Sequence, residues 1–305
     1  MSQKKFLRNI FSITNRYKDG IKHKVIRILG IKISYRPLCL IEKIEKRIAD
    51  IVAENTAREV YSALAVQSLH SKVFPEFLNS NNGNSVAIIG CGPSVKYYNN
   101  EFDTKNIALN DALFFENIKY DYLFNWDDCV LKRNPNWYED VKKYDCHKFY
   151  GMYMGYHFPS VPIRPDDEEN KIKHFYYSAR HNLPAEKFGE IIYQDISTYP
   201  LMDFGTVASG ALHFALYTRP KKIYLIGLDT SNAVGSIVDK NSNSYQIDRM
   251  LRGYKKFKEF ANLFYPDVEI ISVNPVGLKG LFKDVYTKKY VDEHPELLEE
   301  SITIV

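Results

Sequence analysis

Residues 85–94 read SVAIIGCGPS, a short apolar run leading straight into a glycine turn. Such a run suits a strand buried on both faces of a parallel sheet, where neither face is solvated. Gly90 and Gly92 let the backbone approach a ligand closely and Pro93 stiffens the turn. Ser94 can cap a following helix while neighbouring N–H groups point at an anion. Gly90, Cys91, Gly92, Pro93 and Ser94 therefore read as a phosphate or pyrophosphate cradle. Val95 stands where the dinucleotide fingerprint has its third glycine, so the turn is not that fingerprint. A merely tight connection is the other reading of the same residues.

Outward from this turn, short apolar runs alternate with helical stretches. Strands are expected at 86–89, 106–109, 122–124, 148–150, 175–177, 223–226 and 268–273, with helices at 209–217 and 248–264. The alternation predicts an α/β fold, a single domain with an open, mostly parallel sheet and its site at the carboxyl ends of the strands. Asn110 and Asn125 follow the second and third strands and could hydrogen-bond a base or ribose, or cap turns. Ser209 and Gly210 are expected at a helix N-terminus, offering N–H groups to a phosphate. Asp229, just past a buried strand, is placed for a ribose or an acceptor hydroxyl, whereas His213 sits among apolar neighbours and reads as core.

Upstream the composition changes. Residues 1–36 hold ten Lys or Arg and one acid, Asp19. Residues 4–35 interleave these bases with Ile, Leu, Val and Phe, a basic amphipathic segment that can lie on anionic lipid or pack on the body of the protein. Residues 40–69 contain neither Gly nor Pro and place Ile41, Ile44, Ile48 and Ile51 at helical spacing, which predicts a long helix open to homo-oligomer contact. The Asn- and Ser-rich stretch 79–84 marks a boundary between an extension at 1–80 and an α/β domain at 81–305.

The 305 residues are 45% hydrophobic and 26% charged, as in a folded protein, and the net charge of +4 is too small to point to nucleic acid. Aromatics reach 14%, with 23 Tyr, which suits either a sugar or nucleotide binder or a Tyr-rich core. Four cysteines without C-x-x-C spacing indicate neither a zinc site nor a disulfide framework. No apolar run of about 18 residues or signal-peptide pattern occurs, so the expected location is cytoplasmic or peripheral on the inner face of the membrane. The absence of a D-x-D triplet argues against a metal-dependent sugar transferase, and no cofactor is expected.

The ordered set G-x-G-P-S, Asn110, Asn125, Ser209-Gly210 and Gly227-Leu228-Asp229 resembles the bacterial sialyltransferases of glycosyltransferase family 42 and is similar to the glycosyltransferase core of motility accessory factors. The likeness covers roughly residues 84–280 as short motifs. The basic, Ile-rich leader is similar to leaders of some lipopolysaccharide-assembly glycosyltransferases. The resemblance implies a metal-independent, GT-A-like single domain that takes a CMP-linked nonulosonic acid as donor and a cell-surface glycan as acceptor. It implies that Gly90, Gly92, Pro93 and Ser94 hold the donor phosphate region and that Asn110 and Asn125 contact sugar or nucleotide. Ser209 and Gly210 would lie near the cytidine or the sugar carboxylate, Asp229 would contact the ribose, and Tyr245 in a polar lid at 231–252 would contact the phosphate. The family's general-base His after the lid has no counterpart between Asp229 and His294, which leaves His181, Asp127 or Asp128 for that role. Two other functions fit parts of the pattern: a pterin pyrophosphokinase-like ATP-dependent enzyme, and a non-catalytic scaffold recruited to the membrane.

Overall fold

The computed structural model describes residues 11–18, 21–28, 31–35, 37–127, 129–154, 163–178, 191–231 and 246–305. They fall into two compact units, Met1–Ser62 and Ala63–Val305. In the first, β1 (Phe11–Lys18), β2 (Ile21–Ile28) and β3 (Ile31–Tyr35) form an antiparallel sheet in that order. Asp19-Gly20 and Leu29-Gly30 separate the strands, and Asp-Gly is a preferred sequence for two-residue hairpins. Helix α1 (Pro37–Val73) follows and runs beyond both ends of the expected 40–69 span.

The second unit is an α/β fold. Its strands are β4 (Ser85–Ile89), β5 (Lys105–Leu109), β6 (Tyr122–Asn125), β7 (His147–Tyr153), β8 (Ile172–Ser178), β9 (Leu201–Met202), β10 (Lys222–Ile226), β11 (Glu269–Val273) and β12 (Lys283–Val285). Between and after them lie α2 (Cys129–Arg133), α3 (Trp137–Lys142), α4 (Val207–Tyr217), α5 (Ile247–Phe264) and α6 (Lys288–Glu293). Among the described residues the nine strands make one open sheet, ordered β12-β11-β10-β4-β5-β6-β7-β8-β9, and every pairing is parallel. The chain leaves β4 in one direction as far as β9 and then returns to the other side of β4 as β10. The order therefore reverses between β4 and β10, and crevices outside such reversals are where open α/β sheets bind ligands.

Strand β4 explains why its sequence is apolar throughout. Val86 and Ile88 belong to the core on one face, Ala87 and Ile89 to the core on the other, and all four are fully buried. The first face is dominated by phenylalanines, with Phe124 and Phe149 stacked at 4.7 Å and Phe214 of α4 at 5.0 Å from Phe149. Every residue of α4 is buried. Residues 63–77 belong to this unit, and the reason is apolar: Val66, Val73, Phe74 and Phe77 are buried.

His70 completes the attachment. It is fully buried, its Nε2 accepts the Tyr176 N–H at 2.7 Å, and its Nδ1 lies 2.8 Å from the Ile196 carbonyl and 3.0 Å from that of Tyr199. A carbonyl accepts only from a protonated nitrogen, so the ring is the neutral Nδ1–H tautomer. Burial pulls its pKa down to about 4, against the opposing effect of the two carbonyls.

Candidate functional site

Three loops meet at the strand-order reversal. The Gly90 N–H donates to the Ile226 carbonyl at 2.9 Å and the Gly92 N–H to the Gly227 carbonyl at 2.8 Å. The Ser94 N–H donates to Oδ2 of Asp229 at 2.9 Å, and its hydroxyl donates to Oδ1 of the same carboxylate. The third loop joins through Gly277, whose N–H donates to the Asp229 carbonyl at 2.7 Å. The glycines are required by this closeness: a Cβ on Gly92 would lie 2.7 Å from the Asp229 carboxyl and from the Gly227 oxygen.

The expected cradle is therefore arranged differently. The N–H groups of Gly90, Gly92 and Ser94 point into the protein, and Val95 donates back to the Gly92 carbonyl at 3.0 Å. Asp229, expected to reach a ribose, is 5% exposed with both oxygens on Ser94. Burial pushes its carboxyl above the ordinary range, while the two Ser94 bonds oppose the shift. Burial, and then the charge of Asp111, pushes the Cys91 thiol up to about 12, so it is no thiolate nucleophile at neutral pH.

Ser209 and Gly210 also differ from expectation. Thr206 is the N-cap, accepting from the Ala208 N–H through its side chain, so α4 starts two residues early and places both inside the helix. Ser209 donates its N–H to the Thr206 carbonyl at 3.0 Å, and its hydroxyl accepts from Phe204 N–H at 3.1 Å. Gly210 makes room for Trp126: a Cβ there would lie 2.4 Å from Cζ3 of the indole. Trp126 stacks on Tyr177 at 4.5 Å, so an aromatic wedge joins the ends of β6 and β8 to the start of α4. His213 is core as expected, its Nε2 lying 2.6 Å from the Tyr193 carbonyl, and burial lowers its pKa to about 4.

The polar groups with unused capacity lie at the ends of β5 and β6 and in the middle of β7. Asn125 is 1% exposed, and neither its amide oxygen nor its nitrogen has a hydrogen-bond partner among the described residues. The Oδ1 of Asn110 is in the same condition, on a residue held at φ 52°. So is the hydroxyl of Tyr150, the register partner of Asn125 on β7. Both amide groups of a buried Asn left unmatched cost free energy, which is why such groups concentrate where a water or ligand supplies the bonds. Sequence reasoning found both asparagines but missed Tyr150, whose place inside an apolar strand reads as core. Nearby Asp111 is committed elsewhere, to Arg133 through Nε at 2.9 Å and to the Trp137 indole N–H at 2.9 Å.

A second surface borders the Ser94–Asp229 pair. Tyr290 of α6 has its phenol pushed up by burial and then by the charge of Asp229. His294 stacks on Tyr290 at 4.1 Å, with its Nδ1 2.8 Å from the Tyr290 carbonyl. A carbonyl only accepts, so Nδ1 is the donor in that bond. Lys279 pairs with Glu300 at 2.8 Å. His181, Asp128 and Tyr245 lie outside the described residues. Asp127 is described, and its Oδ1 accepts the Cys129 N–H at 2.9 Å, a turn-capping role. Among the described residues no group of three or more His, Cys, Asp or Glu could hold a metal ion.

No protein-family model matches the chain, and no curated protein matches it.

Proposed function

We propose that this chain is a glycosyltransferase that moves a CMP-activated nonulosonic, sialic-acid-like sugar to a cell-surface glycan acceptor in lipopolysaccharide or capsule assembly, on a GT-A-like variant of the α/β sheet. The observation that carries the reading is Asn125, a buried amide with both its donor and its acceptor unmatched at the end of β6, two strands from the order reversal. An amide offers an acceptor and a donor side by side, which complements the edge of a cytosine or a pair of sugar hydroxyls. It is also one of the two asparagines of the motif set that suggests a CMP-sugar.

In this proposal Asn110, Asn125 and Tyr150 hold nucleotide or sugar. The 90–94 turn, braced by Asp229, serves as a rigid wall that the donor can approach closely rather than as a set of N–H donors. Tyr245 contacts the departing phosphate, and His181 or Asp128 removes the acceptor proton, as general-base catalysis requires. Substrate reaches Asn125 from the carboxyl edge of the sheet, where β6 ends.

The test is release of CMP from a CMP-linked nine-carbon acidic sugar on adding a glycan acceptor, with no release by the His181→Ala/Asp128→Ala double variant. Turnover of a UDP-hexose instead would overturn the proposal. A second reading, the non-catalytic scaffold, draws support from the turn, where the Gly90, Gly92 and Ser94 N–H groups are spent inside the protein. Cytidine-nucleotide binding without turnover would be its mark.

A further inference from the structure

The register of the N-terminal sheet sorts its residues into two unlike faces. On one, the cross-strand rows are Phe11, Ile28 and Ile31, then Ile13, Ile26 and Ile33, then Asn15, Lys24 and Tyr35, then Tyr17 and Lys22. On the other they begin with Ser12, Arg27 and Lys32, then Thr14, Val25 and Ser34. Val25, central on the polar face, is 2% exposed, whereas Ile31 on the apolar face is 67% exposed.

We propose that this apolar face is a membrane-docking surface for anionic lipid. Rows on one face lie about 7 Å apart and strands about 5 Å apart. Two adjacent apolar rows thus make a band matching the roughly 5–10 Å to which interfacial elements sink. The next rows change to Tyr and Lys, the residue types that settle at headgroup level. Charge selects the occupant: Lys22 and Lys24 stand at the polar end of this face, with no acid on it, in a segment that holds ten Lys or Arg against one acid over residues 1–36, a balance that complements a negatively charged leaflet and would repel a second copy of the same sheet. The docking element is a sheet face rather than a helix, because the apolar residues recur with the two-residue period of β1 to β3. Among the described residues no helix is long and apolar enough to cross a membrane, so attachment by this face is peripheral. The inference is independent of what the α/β unit binds.

The full chain is sedimented with vesicles of phosphatidylcholine alone and with vesicles that also contain phosphatidylglycerol, at low and high salt. Binding is expected only with phosphatidylglycerol and is expected to fall at high salt. Ile31→Asp, a surface change that should leave the circular dichroism spectrum intact, should abolish it, and Lys22→Gln/Lys24→Gln should weaken it about thirtyfold. Absence of vesicle binding, equal binding to both vesicles, or unchanged binding of Ile31→Asp would overturn the proposal. So would a change from dimer to monomer on Ile31→Asp in lipid-free solution, which would assign the face to a second copy.

Discussion

The Ser94 backbone N–H and hydroxyl both donate to the carboxylate of Asp229, 135 residues further along the chain. This pair clamps the loop after β4 to the loop after β10 at the point where strand order reverses. Asp229→Ala leaves a buried N–H and hydroxyl without partners and should cost about 2–3 kcal/mol in urea denaturation. Asp229→Asn keeps one acceptor and should cost distinctly less. Equal losses for the two variants would show that the carboxylate does not act through Ser94.

Gly210 and Trp126 make a sharper test of packing. Gly→Ala inside a helix ordinarily stabilises by about 1 kcal/mol. Here the new methyl would meet the indole at 2.4 Å, so Gly210→Ala should destabilise by roughly 1–3 kcal/mol. In a Trp126→Leu background the same change should become neutral or favourable. A double-mutant cycle measured by denaturation checks the coupling, and additivity would remove the clash as its cause.

Acid should weaken the fold through His70 and His213. Burial lowers both to about 4, whereas an unfolded His titrates near 6.5. Between these values the unfolded chain binds more protons, so stability falls as pH falls and is fully present above about 6.5. Each ring contributes at most roughly 3 kcal/mol to that loss. Denaturation midpoints at pH 7.5, 6 and 5 should decline in step, and His213→Leu should remove part of the slope. An unchanged slope in that variant would contradict the assignment.

Asn125 should show opposed effects on stability and binding. Asn125→Leu replaces an unmatched buried amide by an apolar group of similar size, so the ligand-free chain should gain roughly 1–2 kcal/mol. Nucleotide binding should disappear in the same variant. A large loss of stability on this change would mean that Asn125 is a structural residue with partners of its own.

The sheet was legible because its strands are apolar on both faces, as β4 shows with Val86 and Ile88 on one side and Ala87 and Ile89 on the other. β12 carries Lys-Asp-Val and β9 only two residues, so neither has a periodic signal to read. The glycine turn marks close approach, but sequence cannot say what approaches. At Gly92 it is Asp229, and that pairing depends on which strand returns beside β4. Helix α4 begins at Val207, two residues before the expected start, because the Thr206 side chain caps it. In the N-terminal unit Asp19-Gly20 stands between β1 and β2, where Asp-Gly favours a two-residue hairpin. Tyr150 gave no signal, since an unsatisfied hydroxyl in a strand looks like any buried tyrosine.

A calorimetric titration of the intact chain with CMP, UDP, GDP and ADP, repeated with Asn125→Leu, decides whether Asn125 holds a cytidine nucleotide. CMP should bind in preference to the other three, and its heat of binding should vanish in the variant while the fold persists. Selective binding of UDP or ADP, or CMP binding that survives Asn125→Leu unchanged, would contradict the account.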